Sequence, residues 1–156
     1  MTTITQLPNK KYMMTYEYGG GPLASGSTDY AFPVYYRISD SPLTFLSALG
    51  QPLISNDGIQ PTGSPYITWS PVDGPNGTII VSSGSNSQVF VNRALGDVRA
   101  WKTVETPEPV SYTRHLRVLK DPNHLLIMGG GKLPPSTTNK ITVSVVNLER
   151  GVLGES

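Results

Sequence analysis

Apolar and polar residues alternate along most of this chain in short runs, separated by clusters of Gly, Pro, Asn, Asp and Ser. Alternation with a period of two marks a half-buried β-strand, and the clusters hold the residues that tight turns need. Lys11 to Tyr18 (KYMMTYEY) reads as a first strand, ended by Gly19-Gly20-Gly21-Pro22 and a Ser/Gly/Thr loop to Asp29. Pro33 to Ser39 follows, then a short piece around Leu43 to Leu46. A second series comprises Pro65 to Ser70, Thr78 to Ser83, Gln88 to Asn92 and Trp101 to Val104. A third comprises Tyr112 to Leu119, His124 to Met128 and Ile141 to Val146.

The series share one plan: a strand, a tight turn, a second strand ending in small residues, a loop, a third strand, and a fourth carrying an aromatic. The turns P-V-D-G-P-N-G after Ser70 and K-D-P-N-H after Leu119 hold the same place in the second and third series. Four-stranded antiparallel units repeating every ~40 to 50 residues point to the blades of a β-propeller. A β-sandwich of unrelated hairpins is the alternative. The expected fold is all-β, a single incomplete propeller domain over residues 1–156, with units at about 10–55, 63–105 and 111–148. The first unit is expected to lack the strand before Lys11, and the third to have at best a short fourth strand. That amounts to about two and a half to three four-stranded antiparallel blades, whereas closure takes roughly four to eight. The expectation is therefore a missing N-terminal half or a homodimer mate.

Composition narrows the function classes. The 16 glycines and 14 prolines in 156 residues suit many strands joined by tight turns rather than helices. Twelve Lys and Arg against 11 Asp and Glu leave a net charge of +1, which provides no field for nucleic acid or an anionic membrane surface. The absence of cysteine removes disulfides and thiolate chemistry, and two histidines, His115 and His124, leave little for a metal site. No cofactor is expected, and catalysis falls to carboxylates, Tyr, Ser or Lys. No apolar run approaches the ~20 residues of a membrane span, and Met1 to Pro8 does not read as a signal peptide. Gly129-Gly130-Gly131-Lys132 lacks the spacing of a phosphate-binding loop.

Blade polarity brings second-strand ends and first-strand starts to one rim. That places Glu17, Tyr66 and Tyr112 together beside the central channel, with Arg114 on the same strand face as Tyr112. Glu is uncommon in strands, yet Glu17 stands between Tyr16 and Tyr18 just before a run of glycines that permits close backbone approach. It reads either as a ligand-facing carboxylate or as a rim Glu in an ion pair. Tyr112 and Arg114 can orient a carboxylate, or serve as core cap and ion-pair partner. Tyr66 and Trp69 can stack on sugar rings or pack a core.

Ser39-Asp40-Ser-Pro-Leu-Thr-Phe45 resembles a degenerate Asp-box, the turn motif of sialidase-like propellers, and Asn92-Arg-Ala-Leu-Gly96 leading to Trp101 looks like a further decayed copy. With these, TYEYGG (15 to 20), PVYYRISDSP (33 to 42), GSPYITWSP (63 to 71), GPNGTIIVSSG (74 to 84), SYTRHLRVL (111 to 119) and LLIMGGG (125 to 131) resemble the C-terminal half of fungal glycoside hydrolase family 93, the exo-arabinanases. The resemblance implies a six-bladed, sialidase-like propeller that releases arabinobiose from linear α-1,5-arabinan with retention. It further implies a secreted enzyme acting on a plant cell-wall polysaccharide. By their settings, Glu17 matches one of that family's two catalytic glutamates and Tyr112 its assisting tyrosine, which suits Glu17 to the nucleophile's role. A retaining glycosidase needs a second carboxyl about 5 to 5.5 Å away, and the resemblance places it outside this chain. The expectations are a truncated hydrolase carrying half a catalytic pair, or a non-catalytic carbohydrate-binding module closed by a second copy.

Overall fold

A computed structural model of the chain describes residues 1–19, 32–84, 88–105, 114–117, 124–132 and 139–147. Within them the chain forms three antiparallel sheets. The first has the order β1 (Thr2–Gln6), β2 (Tyr12–Glu17), β3 (Val34–Ser39), β4 (Gln51–Pro52). The second runs β5 (Tyr66–Ser70), β6 (Thr78–Ser82), β7 (Gln88–Asn92), β8 (Trp101–Glu105). The third comprises β9 (Arg114–Arg117), β10 (His124–Lys132) and β11 (Asn139–Asn147), with β10 in the middle. The leading strands β1, β5 and β9 lie side by side, β1 against β5 and β5 against β9. This is the arrangement of consecutive propeller blades around an axis, so the all-β partial propeller is the observed fold.

Three local expectations are corrected. The first unit does not lack its leading strand, and it begins at Thr2 rather than near residue 10: Thr2 pairs with Tyr16 and Gln6 with Tyr12. Its signal was Pro8-Asn9, the same dipeptide as Pro75-Asn76 in the turn of the second unit and, in the sequence, Pro122-Asn123 of the third. Lys10 takes φ of 67° there and donates its N–H to the Leu7 carbonyl at 3.0 Å, closing the hairpin. The piece around Leu43 to Leu46 is not a strand. Phe45–Ser47 is a 3-10 turn, and the fourth strand is the two-residue β4. The second strand of the third unit, expected to end at Met128, runs further: β10 continues through three glycines to Lys132 and pairs with β11 along its whole length.

The two Asp-box-like segments do equivalent jobs at the ends of third strands. Asn92 Oδ1 accepts from the N–H groups of Ala94 and Gly96 at 2.9 and 3.0 Å, while its Nδ2 donates to the Asp97 carbonyl at 2.9 Å. Ser39 Oγ lies 2.7 Å from Thr44 Oγ1. Each turn then delivers an aromatic to the interior, Trp101 and Phe45 respectively. The motif's Asp40 stays on the surface, 3.3 Å from Lys11 Nζ.

Burial comes from sheet stacked on sheet. Met13, Val34 and Tyr36 of the first sheet pack against Ile67, Ile79, Val81, Phe90 and Trp101 of the second. The opposite face of the second sheet presents Ile80, Val89, Val91 and Val104 to Leu125 and Ile127 of the third. Tyr36 and Trp101 meet edge-on, with ring centroids 5.6 Å apart at 67°, and the Tyr36 hydroxyl donates to the Gly96 carbonyl at 2.9 Å. Removing a wholly buried ring from the first of these seams forfeits its transfer energy and leaves a cavity. Phe90→Ala is expected to lower stability by about 3–5 kcal/mol, read as a shifted denaturant midpoint at unchanged slope.

Candidate active site

Glu17 ends β2, opposite Val34. Its carboxylate crosses from the first sheet to the loop that leads into the second. Oε1 accepts a short hydrogen bond from the backbone N–H of Ser64, and Oε2 lies 2.7 Å from the α-ammonium of Met1. The Ser64 N–H is aimed by two consecutive left-handed residues, Gly63 at φ 69° and Ser64 at φ 42°. Gly63 is itself pinned, donating to the Phe32 carbonyl at 2.9 Å and accepting from Gly84 at 2.7 Å. A threonine staples the same rim: Thr3 Oγ1 lies 3.0 Å from Thr15 Oγ1 and accepts from the Ile67 N–H at 3.1 Å.

Burial works to raise the Glu17 pKa, but the α-ammonium and the Ser64 N–H outweigh it, so the carboxyl is held below its ordinary value. The arrangement is thus a fixed, ionised carboxylate, its side chain 24% exposed, at the edge where two blades meet.

Tyr66, two residues beyond Ser64, opens β5 at this same rim. Trp69 stands toward the other end of β5. Its indole N–H donates to the Asn76 carbonyl at 2.9 Å and its ring packs on the first seam, with Gly77 at φ 61° directly beneath. The turn it anchors lies across the sheet from Glu17. Arg114 is placed by its backbone as the first residue of β9, opposite Met128. Tyr112 lies outside the described residues.

Solved structures of similar sequence share this architecture. The GH93 alpha-L-arabinofuranosidase of Fusarium graminearum, in complex with arabinobiose, is 48% identical over 96% of this chain with a TM-score of 0.88. An alpha-L-arabinanase of Penicillium chrysogenum, also complexed with arabinobiose, is 40% identical over 96% of this chain with a TM-score of 0.81. The chain belongs to glycoside hydrolase family 93. It spans 42% of the Fusarium enzyme and 41% of the Penicillium enzyme. No protein-family model and no curated protein sequence matches it.

Sequence reasoning on this family 93 chain passed over Ser64, whose backbone rather than side chain does the work. Its one visible signal is the Gly63-Ser64 pair just before a strand. Two cavities, of about 260 and 350 Å³, lie along the edge strand β8 and share Asn56 and Lys102 in their walls. Neither is lined by Glu17 or Tyr66. Among the described residues no three His, Asp or Glu side chains are grouped to hold a metal ion.

Because the folded pKa of Glu17 is depressed, its ionised form stabilises the fold. That contribution is complete above the ordinary Glu value of about 4.3 and disappears as pH falls through the lowered folded value. Glu17→Gln is therefore expected to destabilise this family 93 chain at pH 7, and the gap to wild type should close on acidification. Denaturant unfolding of both proteins between pH 7 and pH 2 checks it.

Proposed function

We propose that this chain carries one half of the active site of a retaining exo-α-1,5-arabinanase that releases arabinobiose from linear arabinan. Glu17 is the nucleophile and Tyr112 its hydrogen-bonding partner, with Tyr66 and Arg114 in the sugar-binding groove. The observation that carries this reading is the ionised Glu17, fixed at a blade seam, in a chain 48% identical to an enzyme that binds arabinobiose. With Oε1 engaged by the Ser64 N–H, Oε2 meets, among the described residues, the displaceable Met1 ammonium, so Oε2 is the oxygen that attacks the anomeric carbon. The glycosyl-enzyme formed is then hydrolysed by water, and both steps need a second carboxyl as acid and then base. Among the described residues no second carboxylate perturbs Glu17. This reading places the protein's action outside the cell, where its polysaccharide is found.

General acid-base assistance commonly contributes 10²–10⁴-fold in rate. The 156-residue chain is accordingly expected to release no measurable arabinobiose from linear arabinan, with Glu17→Gln indistinguishable from wild type. Turnover abolished by Glu17→Gln would place a second carboxyl within reach and overturn the half-site assignment.

A second reading, a homodimeric carbohydrate-binding module, is favoured by the two outer faces of the stack. Ile141, Val143 and Val145 on β11 are 82, 60 and 51% exposed, and at the other end Ile4 on β1 is 48% exposed. Three sheets per chain stacked against three more make six. A solution mass of twice 16.8 kDa, measured by light scattering, supports this assembly, and the mass of one chain excludes it.

A further inference from the structure

Three Pro-Asn pairs stand in the sequence, and one differs from the others in chemistry. Two residues past the asparagines of Pro8-Asn9, Pro75-Asn76 and Pro122-Asn123 come Lys11, Thr78 and Leu125. Asn76-Gly77-Thr78 is thus an acceptor triplet for N-linked sugar, and no other asparagine of the chain is followed at that spacing by Ser or Thr. Such a triplet arises often by chance, so the weight falls on its place in the fold.

The triplet lies in the turn between β5 and β6. Asp73, Gly74 and Gly77 take φ of 64°, 94° and 61°, and the Gly77 N–H donates to the Gly74 carbonyl at 3.0 Å, which closes the turn with Asn76 at its tip. The Asn76 carbonyl is held by the Trp69 indole N–H at 2.9 Å, and Gly77 sits against the indole ring. Asn76 itself is exposed, and among the described residues its side-chain amide makes no hydrogen bond. Thr78 is the reverse: it is wholly buried, and its hydroxyl donates to the Val72 carbonyl at 3.1 Å. The closed hairpin therefore occupies the hydroxyl that defines the acceptor and leaves the amide in water, so a sugar attached beforehand is kept without disturbing any contact.

The position is also clear of the seams. The turn ends the middle sheet, whose two faces are already taken by the first and third. Blades or a second copy added to the stack pack on the outer faces of those two sheets, not on the end of the second.

We propose that Asn76 carries an N-linked oligosaccharide, an inference that rests on the extracellular placement in the preceding reading. The donor is a lipid-diphosphate-linked oligosaccharide. The Asn76 amide nitrogen bonds to the anomeric carbon of the donor sugar as the bond from that carbon to the diphosphate oxygen breaks. The diphosphate leaves with the electron pair, and the amide proton passes to a base of the transferase. Transfer precedes closure of the β5–β6 hairpin, while the Thr78 hydroxyl is not yet bonded to Val72. The sugar then stands at the end of the middle sheet away from Glu17 and leaves that rim open.

The test sends the 156-residue chain through the secretory route of a yeast behind a cleavable leader, and collects the processed chain from medium and cells together. Intact mass spectrometry is expected to show most of it heavier than 16.8 kDa, and peptide N-glycosidase to return it to that mass with Asn76 converted to Asp. Asn76→Gln should keep the unmodified mass and unfold at the same temperature as the deglycosylated wild type. The folded, unmodified chain made in a bacterium should resist the solubilised transferase supplied with the same donor. Processed chain of unshifted mass overturns the site and leaves the extracellular reading standing, because the leader was supplied. Ready modification of the folded chain overturns the order of events. Native protein found in its own organism only in the cytosol overturns both the site and the extracellular reading.

Discussion

Strand β6 is buried at all five of its positions, Thr78 to Ser82, and that double burial is the requirement from which the architecture follows. A strand with one wet face can belong to a lone sheet. A strand whose Ile79 and Val81 point one way and whose Ile80 points the other needs a cover on both sides, and here the covers are two more sheets of the same kind. Each seam buries apolar side chains of one sheet against those of the next, and that burial holds the three sheets as a stack.

The rim chemistry is a by-product of that stacking. When the first sheet is pressed against the second, the end of β2 is brought against the segment entering β5. A carboxylate on the first meets a backbone N–H on the second. The polar contacts at this edge, Glu17 with Ser64 and Thr3 with Ile67, are what seal the seam where apolar side chains run out. A site assembled in this way is as rigid as the seam beneath it, which suits a carboxylate that must keep one oxygen free and the other engaged. It is also divided between blades by construction, so that no one blade owns the whole of it.

Trp69 illustrates how the same stacking separates residues that look equivalent in sequence. Tyr66 and Trp69 are three residues apart on one strand, both aromatic and both compatible with sugar contact. Tyr66 sits at the rim with Glu17, whereas Trp69 is committed to the Asn76 carbonyl and to the seam, holding the β5–β6 turn. Strand length is the cause: about 3.3 Å per residue carries Trp69 some 10 Å from the rim.

The strands of the second sheet could be read almost residue for residue from alternation and turn chemistry, because each was bounded by Gly, Pro, Asn or Asp. Strand β1 escaped, since Thr2 to Gln6 carries a single aliphatic residue and gains its place by pairing with β2 rather than by burying an apolar face. The strand-like reading of Leu43 to Leu46 failed for the opposite reason: Leu43 and Leu46 are exposed, and Phe45 alone points inward. The all-β class, the repeated unit, the family and the prominence of Glu17 are properties of local pattern, carried by residues near one another in the chain. The state of Glu17 is of another kind. It depends on the N–H of Ser64, 47 positions away, and on a left-handed pair of residues that any loop sequence with a glycine could contain. No spacing rule links two such distant positions. Only the packing of one blade on the next brings them within reach, because contacts across a seam are set by the shape of the buried side chains and not by their order in the chain.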